Sequence, residues 1–361
     1  MKKSILKNFL TFFGMLTIVL TLLPFVAADY WWIRMFDFPH LQLTFLTLVA
    51  IVLYFIKFDF KEWRDYVFIT VLLICSAYQF IKIYPYTAFS EFEVLDSKHH
   101  NHTLSLFTAN VFQENKKYNL VKEMSESLDA DIMLFTETNR EWMNAITTNL
   151  DAEYKNRKEI PLDNTYGMLL YSKLQLLNPE VRYLVSDSVP SIHTKVRLRN
   201  NDTIQLYAIH PTPPMPQENP LSTDRDAEMM MIAKLALDSK YPVIIIGDFN
   251  DVAWSQTSKL FQKISRTLDL RKGRGLYNTF SAKSHLMRWP LDHIFISSDF
   301  KLTKVQRCED INSDHFPLHT ILSYEPEDLD SQRQPFPSDK ELKRAQDQID
   351  HYENELKLNP R

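Results

Sequence analysis

Hydrophobic and polar positions alternate in two different rhythms along this chain. The first 84 positions hold three long apolar runs, Phe9 to Ala28, Leu41 to Phe58 and Tyr66 to Tyr84, joined by short polar segments. Each run is close to the ~20 residues that carry a helix across ~30 Å of hydrocarbon. Tyr30, Trp31, Trp32, Trp63 and Tyr84 stand at the edges, where aromatic side chains mark a membrane–water boundary. The pattern predicts three transmembrane helices. The alternative, a soluble helical bundle, would need protein to cover all three runs.

From about residue 102 the apolar runs shorten and separate. Leu104, Leu106 and Thr108 alternate with Ser105, Phe107 and Ala109 and predict a strand. Further strands are expected at Ile132 to Phe135, Met168 to Tyr171, Val181 to Val185, Thr194 to Leu198, Thr203 to Ile209, Val243 to Ile246, Ile294 to Ile296 and Leu318 to Leu322. Helical spacing appears at Leu120, Val121, Met124 and Leu128, from Thr223 to Leu237, and from Gln256 to Ile264. Strands alternating with helices predict an α/β domain.

The chain then divides into a membrane unit (1–84), a polar linker (85–101), an α/β domain (102–324) and a charged tail (325–361). Glu325 to Ser338, rich in acids and prolines, reads as a flexible linker. After it, Leu342, Ala345, Ile349, Tyr352 and Leu356 form an apolar stripe at three- and four-residue spacing. Such a helix is marginal alone. It is expected to fray in solvent, with packing on the domain or self-association through 342–356 as alternatives.

Charge and composition narrow the picture. A net charge of -4 gives no bulk attraction to a polyanion. Two cysteines, Cys75 and Cys308, cannot build a disulfide frame or a thiolate zinc site. Five glycines include no glycine-rich nucleotide loop. Lys2, Lys3 and Lys7 precede the first run, and Lys57, Lys61 and Arg64 separate the second from the third, whereas only Arg34 lies between the first two. The positive-inside bias puts the amino terminus in the cytoplasm and everything after Tyr84 on the far side of the cell membrane. Val26-Ala27-Ala28 resembles a signal-peptidase site, but the preceding run is longer than a usual signal core, and cleavage would still leave the domain outside. His99, His100 and His102 read as part of a solvated linker.

Chemistry gathers at strand ends. Asn110, Glu137, His210, Asp248, Asn250, Asp292, Asp314 and His315 follow or open the expected strands. One such residue is a turn or a cap. Eight suggest one rim of a sheet core converging on a site. Gly247-Asp248-Phe249-Asn250 follows the buried run Val243 to Ile246, where an acid and an amide are costly unless a ligand uses them. Asp314-His315 sets a carboxylate beside an imidazole.

At these residues the chain resembles the endonuclease/exonuclease/phosphatase superfamily, whose fold is deoxyribonuclease-I-like. The motifs are Thr108-Ala109-Asn110, Thr136-Glu137-Thr138, Ala208-Ile209-His210-Pro211, Gly247-Asp248-Phe249-Asn250, Leu291-Asp292-His293-Ile294-Phe295 and Ser313-Asp314-His315, in the family's order over roughly 102–324. The resemblance implies a four-layer α/β/β/α sandwich and magnesium-dependent phosphoester hydrolysis, with manganese as an alternative cation. The three-run prefix is similar to that of bacterial membrane-anchored members. Thr136 departs from the glutamine that many family nucleases carry there.

The implied roles follow residue by residue. Glu137, Asn110 and Asp314 are the expected metal ligands. Asp248 would orient or deprotonate the attacking water, and Asn250 would donate to a phosphoryl oxygen. Asp292 would fix His315, whose ring would handle the water or a phosphate oxygen, so that the base is either His315 or Asp248 or is shared between them, and His210 would stabilise the phosphoryl group or protonate the leaving group. Arg288 and Arg274 are candidate substrate contacts. His193, His293 and His319 read as structural, as does Arg225 among Asp224, Asp226 and Glu228. The expectation is a membrane-anchored phosphodiesterase acting on nucleic acid outside the cytoplasm. A lipid headgroup or small phosphoester is the alternative substrate, and a non-catalytic scaffold the alternative class.

Overall fold

The computed structural model describes residues 2–26, 29–98, 102–148, 150 and 152–358. Ala27, Ala28, His99 and His100 lie outside the described residues.

Among the described residues three helices are long and apolar enough to cross a membrane, at Ile5–Phe25, His40–Lys57 and Trp63–Tyr86. They are built on α1 (Lys2–Leu22), α3 (His40–Tyr54) and α4 (Trp63–Ile83), and a short helix α2 (Trp31–Arg34) lies between the first two. Polar groups in such a bundle need internal partners. Gln79 Nε2 accordingly donates to Thr21 Oγ1 at 2.5 Å and to Thr47 Oγ1 at 3.1 Å, joining all three helices. Asp65 closes the other end, accepting from Lys7 Nζ (2.5 Å), Tyr54 OH (2.9 Å) and the Asp59 backbone N–H (2.8 Å).

The rest is an α/β sandwich. Its elements are β1 (Thr103–Asn110), α5 (Tyr118–Leu128), β2 (Ile132–Thr136), α6 (Arg140–Thr147), β3 (Asn156–Ile160), β4 (Met168–Ser172), β5 (Gln175–Arg182), β6 (Ser191–Arg197), β7 (Thr203–Ile209), α7 (Thr223–Leu237), β8 (Val243–Asp248), α8 (Gln256–Ser265), β9 (Leu268–Asp269), β10 (Asp292–Ile296), β11 (Phe300–Arg307), β12 (Leu318–Tyr324) and α9 (Asp339–Leu358). Two mixed six-stranded sheets run β11-β12-β1-β2-β4-β3 and β5-β6-β7-β8-β10-β9. Leu104, Leu106, Leu134, Leu206, Ile244 and Ile246 fill the space between them. The intervening residues of the same strands face outward, Phe107, Met133 and Phe135 with Trp142 and Val121 from α6 and α5, and Tyr207 and Ile245 with Met230 and Phe261 from α7 and α8. Period-two alternation thus buries both faces of each sheet.

Three expectations change on packing. The apolar stripe of α9 neither frays nor stays free for a second copy. Ala345 and Ile349 join the cluster on α7 and α8, and Tyr352 OH donates to Val185 O at 2.7 Å. The 85–98 segment is docked rather than solvated: Val94 is fully buried in the inter-sheet core, and Leu95 N–H donates to Gln332 Oε1 at 2.8 Å. That bond also ties down the segment after β12, where Gln332 Nε2 donates to Ser298 O at 3.1 Å. Strands β3 and β11 carry too many polar residues to show in the pattern, since both run partly exposed.

One buried acid predicts a pH effect. Glu228 on α7 is fully buried, and neither carboxylate oxygen has a hydrogen-bond partner among the described residues. Burial and the nearby Asp224 push its carboxyl up to about 8 from 4.5. A raised acid pKa means that the fold holds a proton the unfolded chain releases, so stability falls as pH rises from 4.5 to about 8. Glu228→Gln is expected to remove that slope and raise the midpoint of thermal unfolding at pH 8. Unchanged melting curves across the pH series would contradict this.

Candidate active site

Sheet register assembles the site. Parallel pairing of β1 with β2 sets Asn110 beside Thr136, so that Glu137 follows at the same rim. Parallel pairing of β7 with β8 sets Ile209 beside Gly247, bringing His210 next to Asp248. Antiparallel β10 starts where β8 ends, with Asp292 opposite Asp248. Antiparallel β12 pairs with β1, and Ser313-Asp314-His315 leads into it at the same end. Gly247 is required for this approach. Its φ is 148°, and a Cβ there would lie 1.9 Å from Ile209 O.

Glu137 has φ 57°, a left-handed conformation that costs a non-glycine residue about 1–3 kcal/mol. Its carboxylate accepts from Asn110 Nδ2 at 2.7 Å and from the Gln113 backbone N–H at 3.4 Å. No lysine or arginine pairs with it among the described residues. Burial first, then the charges of Asp314 and Asp248, push the carboxyl up to about 7, against the pull of Asn110. A half-buried acid among other acids is the donor chemistry that a hard cation relieves.

Asn110 is held at both ends of its amide. Its Oδ1 accepts the Phe112 backbone N–H at 3.0 Å, which fixes the amide, and its Nδ2 donates both to Glu137 and, at 3.1 Å, to Asp248 Oδ2. An N–H group cannot coordinate a cation, so Nδ2 orients the two carboxylates and a ligand role for Asn110 would fall to the second lone pair of Oδ1.

Asp248 is the hub. Its Oδ1 accepts the Asn250 backbone N–H at 3.0 Å, and its Oδ2 lies 3.5 Å from His315 Nε2 and 3.9 Å from His210 Nε2. Burial would raise this carboxyl, yet His315, His210 and the donated hydrogen bonds hold it below its ordinary value. His315 Nδ1 donates to Asp292 Oδ2 at 2.7 Å. Burial lowers the imidazole, but Asp292 and Asp248 on its two sides carry it up to about 10. Burial also pushes Asp292 upward. We place the shared proton on the ring, because two carboxylates flank it whereas Asp292 meets one imidazole. His210 is fully buried and shifted toward its neutral form by burial, with Nδ1 unpartnered among the described residues.

Asp248, Asp292 and His315 also bring one atom each within 4.8 Å of one another, a spacing that could hold a metal. The short Nδ1–Asp292 bond already uses an atom of each partner. Glu137 and Asp314 are near enough for the charge of one to raise the carboxyl of the other, a second acidic pair at this rim.

Other expected residues scatter. Arg274 donates to Asp96 Oδ1 at 2.5 Å and covers the Phe92 ring at 4.0 Å, both in the docked 85–98 segment, and no described contact joins it to the cluster. Arg288 donates to Ser284 O and sits 4.9 Å over Phe316, the residue after His315. His293 points away from the site, its Nδ1 beside Arg271 Nη2 at 2.6 Å and its Nε2 beside Asp251 O at 2.9 Å. His193 and His319 are held by Ser191 and Ser105.

Several supporting residues escape sequence reasoning because their partners are remote. Ser313 Oγ donates to Asn110 O at 2.8 Å and accepts His315 N–H at 3.0 Å. Thr279 Oγ1 accepts Asp292 N–H at 3.1 Å. Arg225 pairs locally with Asp226 at 2.8 Å, as expected, and in addition lies 3.5 Å from Asp251 and donates to Asn250 O at 2.9 Å. Arg225→Leu would strand two buried carboxylates, a loss of about 3–5 kcal/mol in unfolding free energy. Denaturant titration tests it, and a loss below 1 kcal/mol, the range of surface pairs, would refute the assignment.

A model of the Endonuclease/Exonuclease/phosphatase family matches residues 107–315, more than half of the chain. The chain belongs to this family. Its fold is also that of solved structures. A functionally unknown conserved protein from Enterococcus faecalis V583 superposes with TM-score 0.51 at 16% identity, covering 62% of this chain and 100% of that one. The human Nocturnin catalytic domain with bound sulfate gives 0.50 at 14% identity over 66% and 99%. A Beutenbergia cavernae endonuclease/exonuclease/phosphatase gives 0.50 at 13% over 62% and 72%. At these identities the likeness is one of fold. No curated protein matches the chain. Members of this family are generally phosphoester hydrolases, which gives the clustered carboxylates and imidazoles a reaction class.

Proposed function

We propose that this protein is a membrane-anchored, divalent-cation-dependent phosphoester hydrolase. The observation that carries the reading is Glu137: half-buried, backbone-strained, beside the acids Asp314 and Asp248, and unpaired with any cationic side chain among the described residues. Glu137 and Asp314 would hold the cation, magnesium or manganese, with Asn110 aligning Glu137. A bound divalent cation would neutralise phosphoryl charge and stabilise the leaving oxygen.

The chain's own residues do the rest. Asp248, kept ionised, accepts the proton of the attacking water. His315, charged and held by Asp292, donates through Nε2 to a phosphoryl oxygen. Asn250 spends one amide proton on Pro211 O at 2.9 Å and keeps the other for substrate. His210 offers Nε2 to the phosphoryl or leaving oxygen. Water oxygen joins phosphorus, the P–O bond to the leaving alcohol breaks, and the leaving oxygen takes the His315 Nε2 proton, which the proton held on Asp248, 3.5 Å from Nε2, replaces.

The three long apolar helices support anchoring, and the distribution of basic residues supports an extracytoplasmic site. Nucleic acid, the first expected substrate, draws support from the family's nucleases and none from a net charge of -4. The test is hydrolysis of bis(4-nitrophenyl) phosphate by full-length protein in detergent. Activity is expected to vanish with EDTA and return with Mg2+ or Mn2+. Activity indifferent to chelation would refute cation dependence.

A further inference from the structure

We infer that the substrate of this site is a phosphoester carried by a bilayer lipid, taken from the leaflet in which the Trp31–Asp37 segment lies. The inference rests on the hydrolase reading above and on the membrane crossing of the three long helices.

Loops that surround the cluster end on the membrane unit. The loop after His210 runs to Pro220, whose carbonyl accepts Trp31 N–H at 2.8 Å, and Ser222 N–H donates to Asp29 O at 2.8 Å. The loop through Asn250 reaches Trp254, whose Nε1 donates to Asp37 O at 2.7 Å, while Ala253 O accepts Tyr86 OH at 2.8 Å. The loop leading into Asp292 sets Trp289 edge-on against Phe38 with ring centroids 5.5 Å apart, and Leu286 O accepts Gln42 Nε2 at 2.7 Å. Its start lies against the catalytic imidazole, with the Phe280 ring 5.0 Å from that of His315. The membrane unit is therefore a platform under the site rather than a tether.

That platform fixes depth. Residues 29–42 connect the end of the first long helix to the start of the second, so they lie at the bilayer surface where headgroup phosphates lie. Gln42 is in the first turn of the second helix, and the Leu286 carbonyl bonded to it is at that level.

The rim facing the platform is apolar. Leu286 is 80% exposed, with Met287 beside it at 49%, and Met215 in the loop after His210 is 46% exposed. On the platform itself Trp32 and Met35 are each 48% exposed. Side chains of this kind insert among acyl chains and headgroups. A strand of nucleic acid needs cations along its track. The three loops, 211–221, 250–255 and 279–291, contain only Lys283 and Arg288, and both donate to backbone carbonyls, of Asn312 and Ser284. A lipid joins in one molecule the acyl chains that would cover this exposed apolar rim and the phosphate that the cluster would bind.

The test uses full-length protein in nanodiscs of phosphatidylcholine, phosphatidylethanolamine, phosphatidylglycerol and cardiolipin, followed by phosphorus NMR. Bis(4-nitrophenyl) phosphate and a single-stranded DNA oligonucleotide are assayed in parallel. Lipid phosphodiester is expected to be consumed at least tenfold faster than the oligonucleotide at equal phosphate concentration. Leu286→Asp combined with Met287→Asp is expected to lower the ratio of lipid to soluble-ester rate at least tenfold. An oligonucleotide rate equal to or above the lipid rate overturns the inference, as does a ratio untouched in a variant that melts normally. The wild-type comparison stands alone if the double variant does not fold. Hydrolysis of the soluble ester with none of the lipid defeats the lipid inference only, whereas hydrolysis of neither defeats the hydrolase reading beneath it.

Discussion

Glu137→Gln is expected to lower hydrolysis of a soluble phosphodiester by on the order of 100-fold or more, about 3 kcal/mol of transition-state stabilisation. The change is nearly isosteric, so the left-handed backbone and the Asn110 contact can persist. What disappears is one negative charge from a buried acidic cluster. Burial and the neighbouring acids already push the Glu137 carboxyl up to about 7, so its charge is a cost that the fold bears without a cation. The variant should therefore melt at the same temperature as wild type or higher in EDTA. Mg2+ should raise the melting temperature of wild type, because it binds the folded state alone, and leave that of the variant unmoved. Loss of activity with loss of fold would mean a structural Glu137. Full activity would mean that the cation, if any, is held elsewhere.

Asp292→Asn is expected to reduce kcat by about 10²–10⁴-fold while leaving KM and Mg2+ affinity close to wild type. Asp292 Oδ2 is the acceptor for His315 Nδ1 at 2.7 Å, and an amide nitrogen in that place would face a donor with a donor. The imidazole would then lose both its orientation and half of the charge that keeps it cationic. Stopped-flow assays across a Mg2+ series separate this from a cation effect. A variant whose defect is rescued by more Mg2+ would place Asp292 in the cation site, as the 4.8 Å clustering of Asp248, Asp292 and His315 would allow.

The strands that carry the site were legible because they are buried on both faces. Ile132–Thr136 and Val243–Asp248 are apolar throughout and end on a polar residue or its neighbour. Strands β3 and β11 were not, because their polar residues lie at partly exposed positions and hide the period. The tail helix showed its stripe, but nothing in residues 339–358 says that α7 would be the surface it meets. At the site, Glu137, Asp248, Asp292 and His315 were visible as acids and imidazoles out of place at strand ends. The role of Asn110 turned on which end of its amide meets the Phe112 N–H, a matter of rotation and not of residue type. Arg225 pairs with the flanking Asp226 as its neighbours suggest, but its further bond to Asn250 O, 25 positions away, has no local signal. Arg274 fell the other way, since Asp96 was in a segment read as solvated.

The most direct measurement is anomalous diffraction from crystals of the full-length protein soaked in Mn2+, collected at the manganese edge. The proposed chemistry requires a peak within coordination distance of carboxylate oxygens of both Glu137 and Asp314, and its loss in Glu137→Gln. A peak bound by Asp292 and His315 without Glu137, or no peak at the strand ends at an Mn2+ concentration that sustains hydrolysis, would contradict it.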